Sequence, residues 1–360
     1  MSKYYLGIMC GTSLDSIDIS MIRCHGDKIK VIAFAEYRLK NKIKEQINIL
    51  KTNTNPEIID KKLEIQVTTL IANNVIDFLK KHKINKSLIS AIGFAGITLN
   101  HSPHLGKSTY LGDPKKLSSI LSIPIIADFR QTDIDAGGQG APLTGFFHKY
   151  LNDTMNSSIT YINLGGFANI SIPKNRSMIS YDTGPANYLI DLWCREKFDI
   201  EYDLDGGLAS MGDVDTKLLK NMLKESFFKK TPPKSTGFEL FNLNWIEKHL
   251  SKLPRPRDID VLSTLTYLTI LTVSDEIKKY NIKSGSIFIY GGGAFNKLLV
   301  NGILDISNKK NLKLLKYGID EKNLEATAFA WFAFARNNQV EFKKSNITGA
   351  KRTYFLGNIY

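Results

Sequence analysis

The residues best suited to chemistry fall in a few short stretches of this 360-residue chain. The first is Cys10–Ser16, "CGTSLDS", between an apolar run and an alternating one. Gly11 lets backbone N–H groups approach an anion, Thr12 and Ser13 add hydroxyl donors, and Asp15 can face a magnesium ion or its water shell. The same residues suit a plain hairpin turn, and the stretch alone leaves both readings open. Two more glycine turns follow strand-like runs, Gly165-Gly166 in "NLGGFAN" and Gly291-Gly292-Gly293 in "GGGAFN". Each also reads as an ordinary tight turn. Asp182 ends a strand before Thr183-Gly184-Pro185. A carboxylate there can act as a general base, close an Asx turn or cap a helix. Glu325 opens a nearly all-apolar helix, where it can complement the helix N-terminus or face a ligand. Arg130 and Asp133 precede "AGGQG" and suit either a structural ion pair or polar contacts to a substrate. Gly137, Gly138 and Gly140 permit close backbone approach.

The elements that must position these residues follow from hydrophobic period. Tyr5–Met9, Ile17–Cys24 and Ile29–Tyr37 read as a three-strand meander. A helix is expected from about Pro56 to Lys83, with Ile58, Ile59, Leu63, Val67, Leu70 and Ile71 at helical spacing. Short strands "AIGFAG" and "PIIADF" (Pro124–Phe129) follow, and Leu143–Leu151 looks helical. The second half opens in the same way. There "SITYINLGGFANISI" is strand, Gly-Gly turn, strand, and "SMISYDTGPAN" is strand, turn and a helix from about Tyr188. "SIFIYGGGAFNKLLV" is strand, glycine turn, helix, and "NLEATAFAWFAFARNN" is a helix too apolar to be anything but buried. Two mixed α/β domains are expected, with their loops facing one cleft.

Composition narrows the function. Hydrophobic residues make up 43% of the chain, enough for real cores. No run of 18 apolar residues occurs, so no spanning helix and no membrane partner are expected, and the first residues lack a signal-peptide pattern. The three cysteines, Cys10, Cys24 and Cys194, have no metal-binding spacing and fit a reducing cytoplasm. The net charge of +13 comes mostly from scattered lysines. No aromatic interleaving accompanies them, so nucleic acid is not expected as a partner, although anionic nucleotides and sugar acids would be attracted.

The three glycine turns come in one order, about 150 and 125 residues apart. Together they resemble the phosphate 1, phosphate 2 and adenosine motifs of the actin, Hsp70 and sugar-kinase superfamily. "ADFRQTDIDAGGQGAPL", "YDTGPANYLID", "PKSTGFELFNLNWI" and "YGIDEKNLEATAFAWFA" narrow the resemblance to the anhydro-N-acetylmuramic acid kinases of cell-wall recycling, over essentially the full length. The resemblance implies a two-domain actin-like (ribonuclease H-like) ATPase fold with mixed central sheets flanked by helices and an active-site cleft between the domains. It divides the chain into 1–150, with the phosphate 1 loop, and 151–360, with the C-terminal helix able to pack back on the first domain. It implies use of ATP and Mg2+ to open the 1,6-anhydro bond of an anhydro amino sugar and phosphorylate O6, in a cytoplasmic homodimer. Asp182 falls where the family's general base lies. Gly11, Thr12, Ser13, Leu14, Asp15, Ser16, Ile17 and Asp18 fall in the phosphate 1 loop. Gly165 and Gly166 fall in phosphate 2, and Gly291, Gly292, Gly293 and Asn296 in the adenosine motif. Thr98, Arg130, Asp133 and Glu325 fall on the sugar side. The metal ligands are not assigned.

This chain departs from the family pattern at four places. Ser16 replaces a glycine, which would strain the loop by about 1–2 kcal/mol if that position needed positive φ. Ala95 and Ile97 replace a histidine and a glutamine in "GFAGIT", so two polar groups are expected to be missing near the sugar. Ala186 turns "GPGN" into "GPAN".

Overall fold

The structure is a computed structural model that describes residues 3–11, 13–26, 28–52, 60–174, 177–280 and 286–360. In chain order the first stretch contains β1 (Lys3–Cys10), β2 (Ser16–His25), β3 (Lys28–Arg38), α1 (Asn41–Thr52), α2 (Lys61–Lys81), β4 (Ile89–Phe94), β5 (Ile97–Ser102), β6 (Lys107–Leu111), α3 (Pro114–Leu121), β7 (Ile125–Ala127), α4 (Phe129–Asp135) and α5 (Thr144–Met155). The middle stretch contains β8 (Thr160–Leu164), β9 (Phe167–Lys174), β10 (Ser177–Pro185), α6 (Asn187–Phe198), α7 (Thr216–Met222), α8 (Ser226–Lys229), α9 (Leu243–Leu250), α10 (Asp258–Lys279), β11 (Ser286–Tyr290), α11 (Lys297–Ser307) and β12 (Lys310–Asn311). The last contains α12 (Leu324–Asn337) and β13 (Asn358–Ile359).

The chain forms two compact units, Met1–Met155 with Leu314–Tyr360, and Asn156–Lys313. Leu314–Tyr360, which the expected division numbers with the second domain, lies in the first unit. The reason lies under α12. A Cβ on Gly7 of β1 would stand 1.9 Å from the Ala326 carbonyl oxygen, and one on Gly93 of β4 would stand 2.0 Å from the Phe329 carbonyl oxygen. Only glycine lets the helix backbone lie that close to the sheet. Ala326, Ala330 and Phe332 are buried there, and the Ser20 and Thr327 hydroxyls meet at 2.8 Å to fasten β2 to the helix.

The first unit's sheet runs β13-β7-β4-β1-β2-β3, and the second unit's runs β10-β9-β8-β11-β12. In each, an antiparallel meander (β1-β2-β3, β8-β9-β10) is extended on its first strand by parallel neighbours (β4 and β7, β11 and β12). One strand order thus occurs twice in one chain. That duplication of a ribonuclease H-like sheet is the actin-like ATPase fold.

Two expectations shift at element ends. The long helix begins at Lys61, because the Asp60 carboxylate accepts from the N–H groups of Lys62 and Leu63 and caps it; Pro56, Ile58 and Ile59 lie outside the described residues. The strand expected over Pro124–Phe129 ends at Ala127. Asp128 takes a left-handed conformation, φ 59°, and turns the chain into α4, so Arg130 and Asp133 sit on a helix.

Candidate active site

In the second unit, sequence-distant turns converge. The Gly165–Gly166 turn joins β8 to β9. Its carbonyls are taken from behind by the start of α6: the Gly166 oxygen accepts from the N–H groups of Ala186 and Tyr188 at 3.0 Å. The Asn187 side-chain amide donates to the Leu164 and Gly165 oxygens at 2.9 Å each. A free carbonyl repels an anion, so occupying these acceptors suits the turn to phosphate. The Gly291–Gly293 turn lies against the same place. A Cβ on Gly291, which has φ 84°, would come within 2.3 Å of Asn163 Oδ1, and one on Gly293 within 2.7 Å of the Leu164 side chain. Asn296 caps α11 through its side-chain oxygen, accepting from Leu299 N–H at 3.1 Å. Ala186 has negative φ, so "GPAN" carries no left-handed strain.

Asp182 stands in β10 directly opposite Asn169, which stands directly opposite Asn163 in β8. Opposed residues share a face, so the three form one polar row across the sheet. The ladder slips between Asp182 and Gly184, a bulge that re-aims the strand end. Asp182 Oδ2 accepts from Thr236 N–H at 3.0 Å, and Asp182 N–H donates to the Lys234 oxygen at 3.1 Å. The carboxylate is thus oriented by backbone, not by a helix cap.

In the first unit the Cys10–Ser16 loop joins β1 to β2. Leu14 N–H closes it on the Gly11 oxygen at 3.1 Å, and the positive φ, 59°, falls on Leu14. The strain expected at Ser16 is absent: Ser16 already pairs with Arg38 in the ladder, and its hydroxyl donates to Asp18 at 2.6 Å. The Leu14 and Ile17 side chains are core, so they serve the loop through backbone alone. Ser13 is exposed, and Thr12 lies outside the described residues. Asp15 is 68% exposed and pairs with Lys44 at 2.7 Å, a contact weak enough to yield to a cation. A Cβ on Gly11 would meet nothing nearer than Ser13 Oγ at 3.8 Å. Internal packing does not demand that glycine, in contrast to Gly7 and Gly93.

Asp18 and Glu325 both carry raised carboxyls, and the Asp18 charge acts on Glu325. Burial pushes the Asp18 carboxyl up to about 6, with Ser16 opposing and Glu36 adding. Burial pushes Glu325 up to about 7, with Asp18 adding and the Arg130 guanidinium opposing. Asp18 of β2, Glu325 of α12 and Arg130 of α4 thus lie within electrostatic reach of one another. Arg130 donates to the Gly140 oxygen at 2.9 Å. Asp133 is fully buried and takes three donors: Gly140 N–H at 2.7 Å, the Thr348 hydroxyl at 2.6 Å and the Tyr354 hydroxyl. A Cβ on Gly138 would be 2.1 Å from Asp133 Oδ2, so the glycine loop wraps this carboxylate. Asp133 therefore anchors the loop and the C-terminal segment. Thr98 is half-buried in β5, opposite Tyr110. Ile97 is 2% exposed and part of the core, so it offers no side chain to a sugar.

Two features escaped the sequence. In "YDLDGGLASMGD" the buried Asp203 carboxylate accepts from Leu208 and Ala209 N–H at 2.8 and 3.0 Å. The loop it closes abuts the Gly291–Asn296 turn: a Cβ on Gly206 would be 2.6 Å from Asn296 Oδ1, and Lys297 pairs with Asp205 at 2.8 Å. Its acid-and-glycine spacing was the available signal. The clamp on Asp182 from Lys234 and Thr236 had none, because backbone donors leave no mark in residue type. Among the described residues no group of three or more His, Cys, Asp or Glu side chains suits a metal. A magnesium ion, which keeps waters and needs one or two carboxylates beside phosphate, does not require one.

A family model described as anhydro-N-acetylmuramic acid kinase matches residues 3–360. The anhydro-N-acetylmuramic acid kinase of Pseudomonas syringae pv. tomato is 36% identical over 363 residues, covering 100% of both chains. That of Coxiella burnetii (strain Dugway 5J108-111) is 35% identical, covering 99% of this chain and 97% of its own. Among solved structures, the activator of the 2-hydroxyisocaproyl-CoA dehydratase from Clostridium difficile with bound ADPNP aligns over 93% of this chain and 96% of its own, at 12% identity and a TM-score of 0.47.

Proposed function

The chain belongs to the anhydro-N-acetylmuramic acid kinase family, and from that premise we propose how its residues divide the work. It is an ATP-dependent kinase of anhydro-muropeptide recycling. Asp182 accepts a proton from the water that attacks the anomeric carbon of 1,6-anhydro-N-acetylmuramic acid. As the C1–O6 bond breaks, its electron pair passes to O6, which attacks the γ-phosphorus of ATP. The products are N-acetylmuramic acid 6-phosphate and ADP. The observation that carries this reading is the Asp182 carboxylate, held by Thr236 N–H in a polar row beside the Gly165–Gly166 turn.

Phosphoryl transfer is mostly alignment and charge neutralisation. The backbone of Gly11–Asp18 and of Gly165–Gly166 holds the phosphates, and Gly291–Gly293 with Asn296 borders the adenosine. Asp15 and Asp18 are the carboxylates that would hold Mg2+, which when bound offsets the charge on the transferred phosphoryl oxygens. Glu325, Arg130 and Thr98 contact the sugar, and Asp133 supports them through the Gly137–Gly140 loop. Three free cysteines favour the cytoplasm, and no described helix is long and apolar enough to cross a membrane. The proposed partners are ATP and the anhydro amino sugar, without nucleic acid or membrane. The homodimer rests on family resemblance and is checked by light scattering.

Asp182→Asn tests the mechanism. It keeps shape and removes the base, so turnover of the anhydro sugar falls at least about 10²-fold while ATP affinity holds. Wild-type turnover in the folded variant would remove Asp182 from the chemistry.

A further inference from the structure

Behind Asp182 lies a group of charges that the mechanism above leaves without a role. Lys234 Nζ meets Glu276 Oε1 at 3.1 Å, with side-chain exposures of only 2% and 8%. Tyr181 donates its hydroxyl to Glu276 Oε2 at 2.8 Å, and Lys279 approaches the same oxygen at 3.4 Å. The Lys234 ammonium also lies over the rings of Phe227 and Tyr181, 5.0 and 5.6 Å from their centroids. Taking an ion pair out of water is costly, and apolar residues of similar volume commonly serve stability as well. Such a group calls for a reason other than stability.

Its connections supply one. Tyr181 precedes Asp182 on β10 and points to the opposite face of the sheet, toward α10, which carries Glu276. Lys234 gives its backbone oxygen to Asp182 N–H. Two residues on, Thr236 gives its N–H to Asp182 Oδ2. The 234–236 segment therefore makes both of these bonds to Asp182, and one buried carboxylate, Glu276, grips that segment and the residue beside Asp182 together.

We propose that Lys234, Glu276 and Tyr181 form a positioning brace that holds the 234–236 segment in register with β10 and so fixes the aim of the Asp182 carboxylate. The inference rests on Asp182 as the base. Ion pairs and hydrogen bonds are directional, whereas apolar contact is not. An apolar replacement can restore stability without restoring aim.

Lys234→Met/Glu276→Leu is the decisive variant, read by thermal unfolding, ATP affinity, kcat, sugar KM and the pH profile of kcat. The expected result is a folded protein with unchanged ATP affinity and sugar KM. Its kcat falls at least about tenfold, as misplacement of a reacting group costs. The acid limb moves to higher pH, because a carboxylate that loses an N–H donor ionises less readily. Wild-type kcat and acid limb in the folded variant would overturn the brace. If the pair replacement does not fold, Tyr181→Phe keeps the ring and removes one grip on Glu276. A kcat about threefold down with the same limb shift is then expected, and wild-type values overturn the proposal. The same changes in an Asp182→Asn background separate the two readings. A brace that acts through Asp182 costs nothing further there, and additive loss overturns it. Asp182→Asn with full turnover instead refutes the base assignment on which the brace depends.

Discussion

Replacing Gly11 by valine separates a glycine kept for a ligand from one kept for packing. A Cβ at Gly11 meets only Ser13 Oγ, at 3.8 Å, and the residue's φ lies outside the left-handed region. The substitution should therefore change folding stability by no more than about 1 kcal/mol. If the loop cradles phosphate, the added methyls stand where phosphate oxygens approach. Loss of one charge-assisted hydrogen bond, about 1.5–3 kcal/mol, weakens ATP binding roughly ten- to a hundredfold. Gly7→Ala is the contrasting control. Its Cβ would stand 1.9 Å from the Ala326 backbone oxygen, so it must push α12 off the sheet and destabilise by about 1–3 kcal/mol or more. Thermal unfolding with calorimetric titration of ATP reads both quantities. A Gly11→Val protein that keeps wild-type ATP affinity would remove the loop from the nucleotide site, and one that loses as much stability as Gly7→Ala would show the glycine to be kept for packing.

The raised carboxyl of Glu325, at about 7 against an ordinary 4.5, means that the folded state binds more protons than the unfolded chain between those values. Stability should fall as pH rises through that window, and Glu325→Gln should flatten the fall, as measured by denaturant unfolding from pH 4 to 8; an unchanged slope contradicts the burial of that charge. Asp18, pushed up to about 6, contributes in the same direction, so Asp18→Asn should remove a further part of the slope. Ile97→Gln buries an amide at a position 2% exposed and should cost on the order of 2–4 kcal/mol, with no gain in kcat/KM on the anhydro sugar; a stable, faster variant would move Ile97 out of the core.

What the sequence made legible is what period and backbone freedom encode. The meander, the three glycine turns and the apolar α12 are all visible as runs, alternations and small residues. The placement of α12 on the first unit is offered only by the family resemblance and not by period or composition, because it depends on Gly7 and Gly93 meeting a helix more than 200 residues away. The same limit governs the site. Asp182 is visible as an acid at a strand end, but its holders are backbone groups of Lys234 and Thr236. Asp133 looks like a sugar-facing acid until Gly140, Thr348 and Tyr354 are seen to occupy it. The left-handed turn of the first loop falls on Leu14 and not on Ser16, a placement that residue type does not signal because leucine rarely adopts it.

Both halves of the reaction, opening of the anhydro bond and phosphoryl transfer, can be followed in one product. Purified protein is incubated with Mg-ATP and 1,6-anhydro-N-acetylmuramic acid, and the sugar product is weighed by mass spectrometry while ADP is counted. The expected product is a sugar heavier by one phosphate and one water, formed one for one with ADP. A product heavier by phosphate alone, or ADP released without a sugar product, would contradict the proposed reaction.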